Sequence, residues 1–514
     1  MDTARFPTAI EGLSIHLVGA KGTGMTALAE ILHSKGARLT GSDVPDVFYT
    51  DSILRSLGVQ IFENFDAKHV ASDTDLVIHS AAYSRETNPE LREAQARHIP
   101  IFNYPEALGA LSLHSRSAGI AGVHGKTTTT AMAGILTEAL SIPASVLAGS
   151  AIANFNGRCT LIAGDRYFIA ETCEYRKHFL NFKPQWIVLT SVESDHQDFF
   201  PTYESIRDAF VEYAMSLPPG GSLIYCVDQK GAAEVADIVL QNRRDLNFVE
   251  YGFSARGRYK IREYRTAEGE NTFVVGDALE ALKLHVPGQH LVLDAVAAIA
   301  LVESLHRDQC GTAFGNAEWG AVARALSRFR GSKRRSEIVG EFSGVLIIDD
   351  YGHHPTAIQT TIEGIKKFLP RRRLIVDFMS HTYSRTIALQ DEFIASLDAA
   401  DAVVLHKIYA SARETPMPGF SGRTLFEKLR ARRTGVPALD LDTASKGKEL
   451  PRGAEHFIVY SEEPLDALEF LEGAVRPGDI VLTMGAGDNW KLGRALADSL
   501  RGSARDHIDG EHQP

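Results

Sequence analysis

Gly122-Val123-His124-Gly125-Lys126-Thr127, continued by Thr128, Thr129 and Thr130, decides how this 514-residue chain is read. The stretch lies between a short apolar run, Ile120-Ala121, and a helix-forming segment from Ala131 to Leu140. Apolar strand, glycine turn and helix N-terminus in that order make a phosphate cradle. Glycine lets backbone N–H groups approach phosphate oxygens, and the helix end favours negative charge. Lys126 then reaches the β- and γ-phosphates as a point charge, and the Thr127 hydroxyl sits on Mg²⁺. The generic pattern asks for glycine at position 120, where this chain has Ile120. A nucleoside triphosphate site is the expectation.

Two further stretches share the grammar of strand, glycine turn and helix. LSIHLVGAKGTGMTALAEILHSKG carries Gly19, Gly22 and Gly24, and GDIVLTMGAGDNWKLGRAL carries Gly485 and Gly487. Three separate α/β units account for this spacing better than a short repeat. Length agrees, since one core seldom spans so long a chain. The fold expected is therefore α/β in three domains, each a mainly parallel sheet with flanking helices: Rossmann-like (1–113), P-loop (114–331) and Rossmann-like (332–514). Ser112 to Ser117 reads as the first linker, and the basic loop from Arg328 to Arg335 marks the second boundary. The stretch 246–288, richer in charge and glycine, reads as a small antiparallel insert, and Leu293 to Leu305 as a helix.

Composition narrows the function. A net charge of −11 argues against bulk electrostatic binding of nucleic acid. Four widely spaced cysteines without a C-x-x-C pair exclude a disulfide framework or zinc ribbon and suit a reducing compartment. With no signal-peptide pattern and no long apolar run, a cytoplasmic location without membrane insertion is expected.

Candidate chemistry clusters where apolar strands end. RYFIAE brings up Glu171, the carboxylate a P-loop needs for Mg²⁺, with Glu174 a turn later. WIVLT opens into an acidic cluster around His196, able to hold a second Mg²⁺ or a phosphate oxygen. VLII leads to Asp349-Asp350-Tyr351-Gly352-His353-His354-Pro355, whose spacing fits no tetrahedral zinc pattern and suits Mg²⁺ or nucleotide contact better. RLIVDF leads to His381, Tyr383, Ser384 and Arg385, and an arginine there could neutralise phosphate charge during transfer. In the first unit Gly41-Ser42-Asp43 lies about 20 residues beyond the glycine turn, where a ribose-binding acid belongs. The ligand read there is a diphosphate-containing nucleotide, either NAD or a nucleoside-diphosphate sugar.

Taken together, GxxGxGM with TGSD, H-S-A-A, GVHGKTTTTAM, the E-S-D-H loop, G-S-K-R-R, IIDDYGHHPTAI, HTYSRT and LTMGAGDNWKLG resemble the Mur ligases. These are ATP-dependent amide-forming enzymes of peptidoglycan precursor synthesis. The likeness covers nearly the whole chain, and the family's P-loop also lacks the first glycine. DDYGHHPT and HTYSRT resemble the alanine-adding branch or its murein-tripeptide-adding neighbour.

The resemblance implies a first domain for UDP-N-acetylmuramate (Gly19, Gly22, Gly24, Ser42, Asp43 and Ser80) and a second for ATP. It implies ATP contacts from Gly122, Val123, His124, Gly125, Lys126, Thr127 and Thr128, with His290 and Asp294 on the adenine side. Thr127, Glu171 and His196 would hold Mg²⁺. Lys126, Glu171, His196, Arg335, Asp350, His353 and Arg385 would serve the reaction, with L-alanine as second substrate and a monomer or homodimer as the assembly.

Three departures stand out. The family's His-Asn-x-x-Asn is His290-Leu291-Val292-Leu293-Asp294, and E-A-D-E-S-D is Glu171-Thr172-Cys173-Glu174-Tyr175-Arg176. No lysine occurs between Lys183 and Lys230, so the carbamylated lysine of sister ligases has no counterpart here, as in the alanine-adding branch. Two rival readings stay open at this point: a tripeptide ligase on the same sugar nucleotide, and a degenerate nucleotide-binding homologue.

Overall fold

Five parallel strands form the first sheet: β1 (Ser14–Val18), β2 (Arg38–Ser42), β3 (Gln60–Phe62), β4 (Leu76–His79) and β5 (Ile101–Asn103), in the order β3-β2-β1-β4-β5. The computed structural model describes residues 6–410, 414, 417–444 and 454–510. Helices α1 (Thr23–Ser34), α2 (Thr50–Ser56), α3 (Pro89–Ala96) and α4 (Tyr104–Ser112) connect these strands. Strand order reverses between β1 and β4, which opens a crevice beyond their carboxyl ends, at Gly19 and Ser80.

The second sheet has eight strands. They are β6 (Arg116–Ala121), β7 (Ala144–Ile152), β8 (Arg158–Ile162), β9 (Tyr167–Glu171), β10 (Trp186–Leu189), β11 (Ser222–Cys226), β12 (Asn247–Gly252) and β13 (Tyr259–Lys260). Their order is β13-β12-β11-β10-β6-β9-β7-β8, with only β8 antiparallel to its neighbour. Because β6 lies between β10 and β9, the segments following these three strands emerge side by side. That places helix α5 (Lys126–Ala139), Glu171 and Thr190 around one point.

The expected insert begins later than 246: β12 and β13 pair in parallel and extend the main sheet, because Phe248 and Tyr251 continue its apolar register. Only β14 (Arg262–Ala267), β15 (Glu270–Val274) and β16 (Leu282–Leu284) form a separate small sheet. The first linker is also shorter than expected, since α4 ends at Ser112 and β6 starts at Arg116.

The third sheet holds β17 (Glu337–Phe342), β18 (Val345–Asp350), β19 (Arg373–Phe378), β20 (Ala402–Leu405), β21 (Ala438–Asp440), β22 (Phe457–Tyr460) and β23 (Asp479–Met484). In the order β17-β18-β23-β19-β20-β22-β21, all but β17 run parallel. Every residue of β18 and β23 is buried, as expected of central strands covered on both faces. Helices α6 (Tyr203–Met215), α7 (Lys230–Asn242), α8 (Gln289–Cys310), α9 (Asn316–Ser327), α10 (Pro355–Phe368) and α11 (Tyr383–Ala388) belong to the later two sheets. In α10, Pro355 starts the helix, where its missing N–H costs nothing, and Ile358, Ile362 and Ile365 recur at helical spacing to form the buried face. Among the described residues α8 is long and apolar enough to cross a membrane, and 72% of its most apolar window is buried inside the protein.

The chain divides into two compact units. The first comprises residues up to Glu263 with Phe273–Leu282 and Leu293–Phe329, and so contains the first two sheets. The second comprises Tyr264–Thr272, Lys283–Val292 and the chain from Arg330 onward. Within the first unit one apolar core runs unbroken from Ile15, Leu28 and Leu32 into Leu147, Ala151, Phe168 and Phe182. Beside it Arg158 donates to Glu30 at 2.8 Å, and the Tyr49 hydroxyl lies 3.5 Å from Cys159 Sγ.

Candidate functional site

Gly122 and Gly125 have φ of +139° and +82°, conformations that L side chains rarely adopt. A Cβ at Gly122 would lie 2.8 Å from Ser191 N, so the loop can press against the end of β10 only without one. Val123 N and His124 N donate to Ser191 O and Oγ at 3.1 and 2.9 Å, and Thr190 Oγ1 donates to the Ala121 and His124 carbonyls. The loop is thus fastened from behind. Its last residue, Gly125, caps α5, whose first turn carries Lys126, Thr127 and Thr128.

Around that turn the expected side chains converge. Thr127 Oγ1 donates to Glu171 Oε2 at 2.8 Å, and Gly149 N donates to the same oxygen at 2.8 Å. A hydroxyl next to a carboxylate is a hard-oxygen donor pair of the kind Mg²⁺ takes, so these residues fit that ion. His196, with φ of +54°, has Nε2 3.2 Å from Glu174 Oε1 and its ring 4.9 Å from that of Tyr175. Lys126 Nζ donates to Gly122 O, to Val123 O at 3.4 Å and to Glu174 Oε2 at 3.0 Å. Burial disfavours the Lys126 charge, but Glu174, Cys173 and Glu171 together outweigh it and hold the ammonium above its ordinary pKa. Burial likewise opposes ionisation of Glu174, and Lys126 with His196 keeps its carboxyl below the usual range. Glu174, left without a role by the sequence, is 2% exposed and touches both.

Asp294 is 6% exposed, and its carboxylate packs beneath the loop, with Thr129 Oγ1 at 3.3 Å from Oδ1. It supports the loop from below.

In the first domain, Gly19 has φ of +80°, and a Cβ there would strike Tyr83 at 2.6 Å and Ser80 at 2.9 Å. Gly22 caps α1 and Gly24 lies in its first turn under the Tyr104 ring. Asp43 accepts from Lys21 N at 2.7 Å, Val44 N at 2.8 Å and the Tyr83 hydroxyl at 3.3 Å. Its carboxylate therefore shapes the turn. Ser42, expected at the sugar nucleotide, is fully buried, and its hydroxyl donates to Glu90. The hydroxyl faces the domain interior because alternate strand residues point to opposite faces of the sheet. Lys21, inside the glycine turn, is also turned inward, donating to Val44 O and Asp46 O at 3.0 and 2.9 Å.

A cavity of about 160 Å³ is lined by residues of both the first and the second domain. Gly24 and Tyr104 line it from the first domain, and Leu147, Gly149, Glu171 and Phe182 from the second.

The second unit gathers its own cluster. Arg334 and Arg335 each stand 5.0 Å from the Tyr351 ring. Asp350 accepts from Ser336 N and Gly352 N, both at 2.7 Å, so it orders two loops at once. Burial pushes Asp349 up to about 6, with Arg334 and Thr483 pulling the other way. His353 Nδ1 lies 3.0 Å from Tyr351 O, and its ring is 5.8 Å from that of His381. Arg385 Nη1 is 3.2 Å from His381 Nδ1, and Glu414 caps α11 by accepting from Tyr383 N at 2.6 Å. For His290, burial lowers the pKa against the opposing pull of Asp350.

Comparison with known proteins agrees with this architecture. The model described as "Mur ligase family, catalytic domain" matches residues 14–116, the "Mur ligase middle domain" 120–302, and "Mur ligase, glutamate ligase domain" 334–487. The chain is 47% identical over 496 residues to a UDP-N-acetylmuramate–L-alanine ligase of Treponema pallidum (strain Nichols), covering 96% of this chain and 98% of that one. It is 37% identical to the same-named protein of Desulfitobacterium hafniense (strain Y51), covering 94% and 99%. A crystal structure of the UDP-N-acetylmuramate–alanine ligase of Thermotoga maritima superposes with a TM-score of 0.72 at 25% identity, covering 96% and 100%. Resemblance, sheet order and these matches agree: the chain belongs to the Mur ligase family.

Proposed function

We propose that this protein joins L-alanine to UDP-N-acetylmuramate at the expense of ATP, in peptidoglycan precursor synthesis. One observation carries the reading: Lys126, Thr127, Glu171 and His196 gather around the start of α5, and Glu171 also lines the cavity that Gly24 of the first glycine motif lines. A sugar nucleotide with its phosphates at Gly19–Gly24 has a path along which its acid end reaches Glu171. In this division of labour residues 1–113 hold the sugar nucleotide, 114–331 the ATP, and 332–514 the amino acid.

A carboxylate and an ammonium do not condense in water, so the sugar's lactyl carboxylate is first activated. A carboxylate oxygen attacks the γ-phosphorus, the bond to the β,γ-bridging oxygen breaks, and ADP departs from an acyl phosphate. The deprotonated alanine amine then adds to the acyl carbon. The C–O bond to phosphate breaks, inorganic phosphate leaves, and the amide remains. Backbone N–H groups of the loop and the first turn of α5 bind the polyphosphate, and Lys126 supplies a positive charge that follows the departing ADP. Thr127, Glu171 and His196 are the residues that would hold Mg²⁺, which when bound would offset the repulsion between phosphate and carboxylate. Arg385 offers its guanidinium to the alanine carboxylate, and Tyr351, between two arginines, walls the amino-acid site.

The test is phosphate release with UDP-N-acetylmuramate, ATP and each amino acid in turn. L-alanine should give the highest turnover. Lys126→Ala should abolish alanine-dependent ADP release while sugar-nucleotide binding survives; retained turnover contradicts the role of Lys126.

A further inference from the structure

One buried acid at the P-loop has no part in the steps above. The Glu174 side chain is 3% exposed, yet it holds a full charge between Lys126 and His196. Lys126 has three N–H donors and meets three acceptors: Gly122 O, Val123 O and Glu174 Oε2. The ammonium is therefore satisfied before any phosphate arrives.

A polyphosphate that recruits Lys126 takes it from Glu174. The carboxylate is then left beside His196 with a phosphate chain next to it, two anions in a site of low dielectric. Two changes relieve this. Either a divalent cation enters together with the phosphates, or the acid loses its charge. Glu171, 2.8 Å from Thr127 Oγ1, adds a second carboxylate on the same side and sharpens the penalty.

We propose that Glu174 makes the site discriminate between metal-complexed and metal-free nucleotide: it holds Lys126 while the loop is empty and repels a bare polyphosphate. Glu174 is a positioning residue, acting through Lys126. The inference rests on the reading of this loop as the ATP site.

The experiment is calorimetric binding of ADP and of a non-hydrolysable ATP analogue to the full chain, once in EDTA and once in excess Mg²⁺. Proteins compared are the wild type, Glu174→Gln and Glu174→Asp. Gln keeps an oxygen for Lys126 and removes the charge. It should tighten metal-free binding by about tenfold, the scale of relieving one close like-charge contact, while Mg²⁺-complexed binding changes far less. The ratio of the two dissociation constants then falls by about tenfold. Asp keeps the charge and should keep a ratio close to that of the wild type.

An unchanged ratio in Glu174→Gln overturns the proposal, as does equal weakening in both media, which marks a merely structural residue. Selective loss of Mg²⁺-dependent binding also overturns it, since that marks a metal ligand. Asp behaving like Gln does the same, because charge would then not be the cause. If the wild type binds nucleotide in neither medium, the ATP reading itself falls; if it binds normally and only the ratio fails to move, this inference falls alone.

Discussion

Replacing Gly125 by alanine puts a methyl group at a tight point of the glycine loop before α5. The backbone there has φ of +82°, and an L residue in that region costs about 1–2 kcal/mol. The new Cβ would also lie 3.3 Å from Asp294 Cγ and 3.5 Å from Thr190 Cβ, and its closest approach, to Asp294 Oδ1, is nearer than real contacts allow. Asp294 has to withdraw, losing Thr129 and costing about 1 kcal/mol more for a buried hydrogen bond. The sum is about 2–3 kcal/mol, to be read as a lower melting temperature and weaker nucleotide binding. The informative measurement is a double-mutant cycle with Asp294→Ala, scored by thermal melts and calorimetric ADP binding. In the Asp294→Ala background the alanine at 125 should cost only its backbone share. If the cost is the same in both backgrounds, the collision is not the cause, and if Gly125→Ala leaves both readouts unmoved, the loop does not need its glycine.

Two further outcomes follow from buried carboxyls. Asp349, raised by burial from an ordinary 3.8 to about 6, is favoured as the neutral acid by about 3 kcal/mol at most. A raised acid contributes stability below its unfolded pKa and loses it as pH climbs through the folded one, so the wild type should weaken between about pH 4 and pH 6. Asp349→Asn should flatten the plot of melting temperature against pH in that window; an unchanged slope assigns the pH dependence elsewhere. Arg158→Ala removes the cation from Glu30, which is 2% exposed and raised by burial, although the arginine side chain itself is 42% exposed. The pair's loss should cost about 1–3 kcal/mol at neutral pH and shrink on acidification, as Glu30 becomes neutral. A deficit that stays constant from pH 5 to pH 8 would count against a charge effect.

The sheets were legible because central parallel strands leave uninterrupted apolar runs: WIVL, VLII and RLIVDF stand out with no structural knowledge. The convergence of Lys126, Thr127, Glu171 and His196 was legible because each follows such a run, and neighbouring strands bring their ends together. Ser42 was misread for a physical reason. Adjacent strand positions face opposite sides, and the residue that claims its hydroxyl, Glu90, lies 48 positions away. The contact of Asp294 with Thr129 was not legible, since the two are 165 positions apart. The antiparallel strand β17 gives no such signal, because EIVGEF is half-polar and broken by a bulge at Ile338/Gly340, as suits an edge. The role of Glu174 depends on two partners from two other loops, which no local pattern encodes.

The apolar seam that runs from Ile15 and Leu28 into Leu147 and Phe182 bears on how this protein can be cut and recombined. An excised fragment ending at residue 113 would bare that seam to water, at a cost of about 1.5–3 kcal/mol for each large side chain uncovered. Engineers grafting its first domain onto another ligase would do better to move the first two sheets as one cassette.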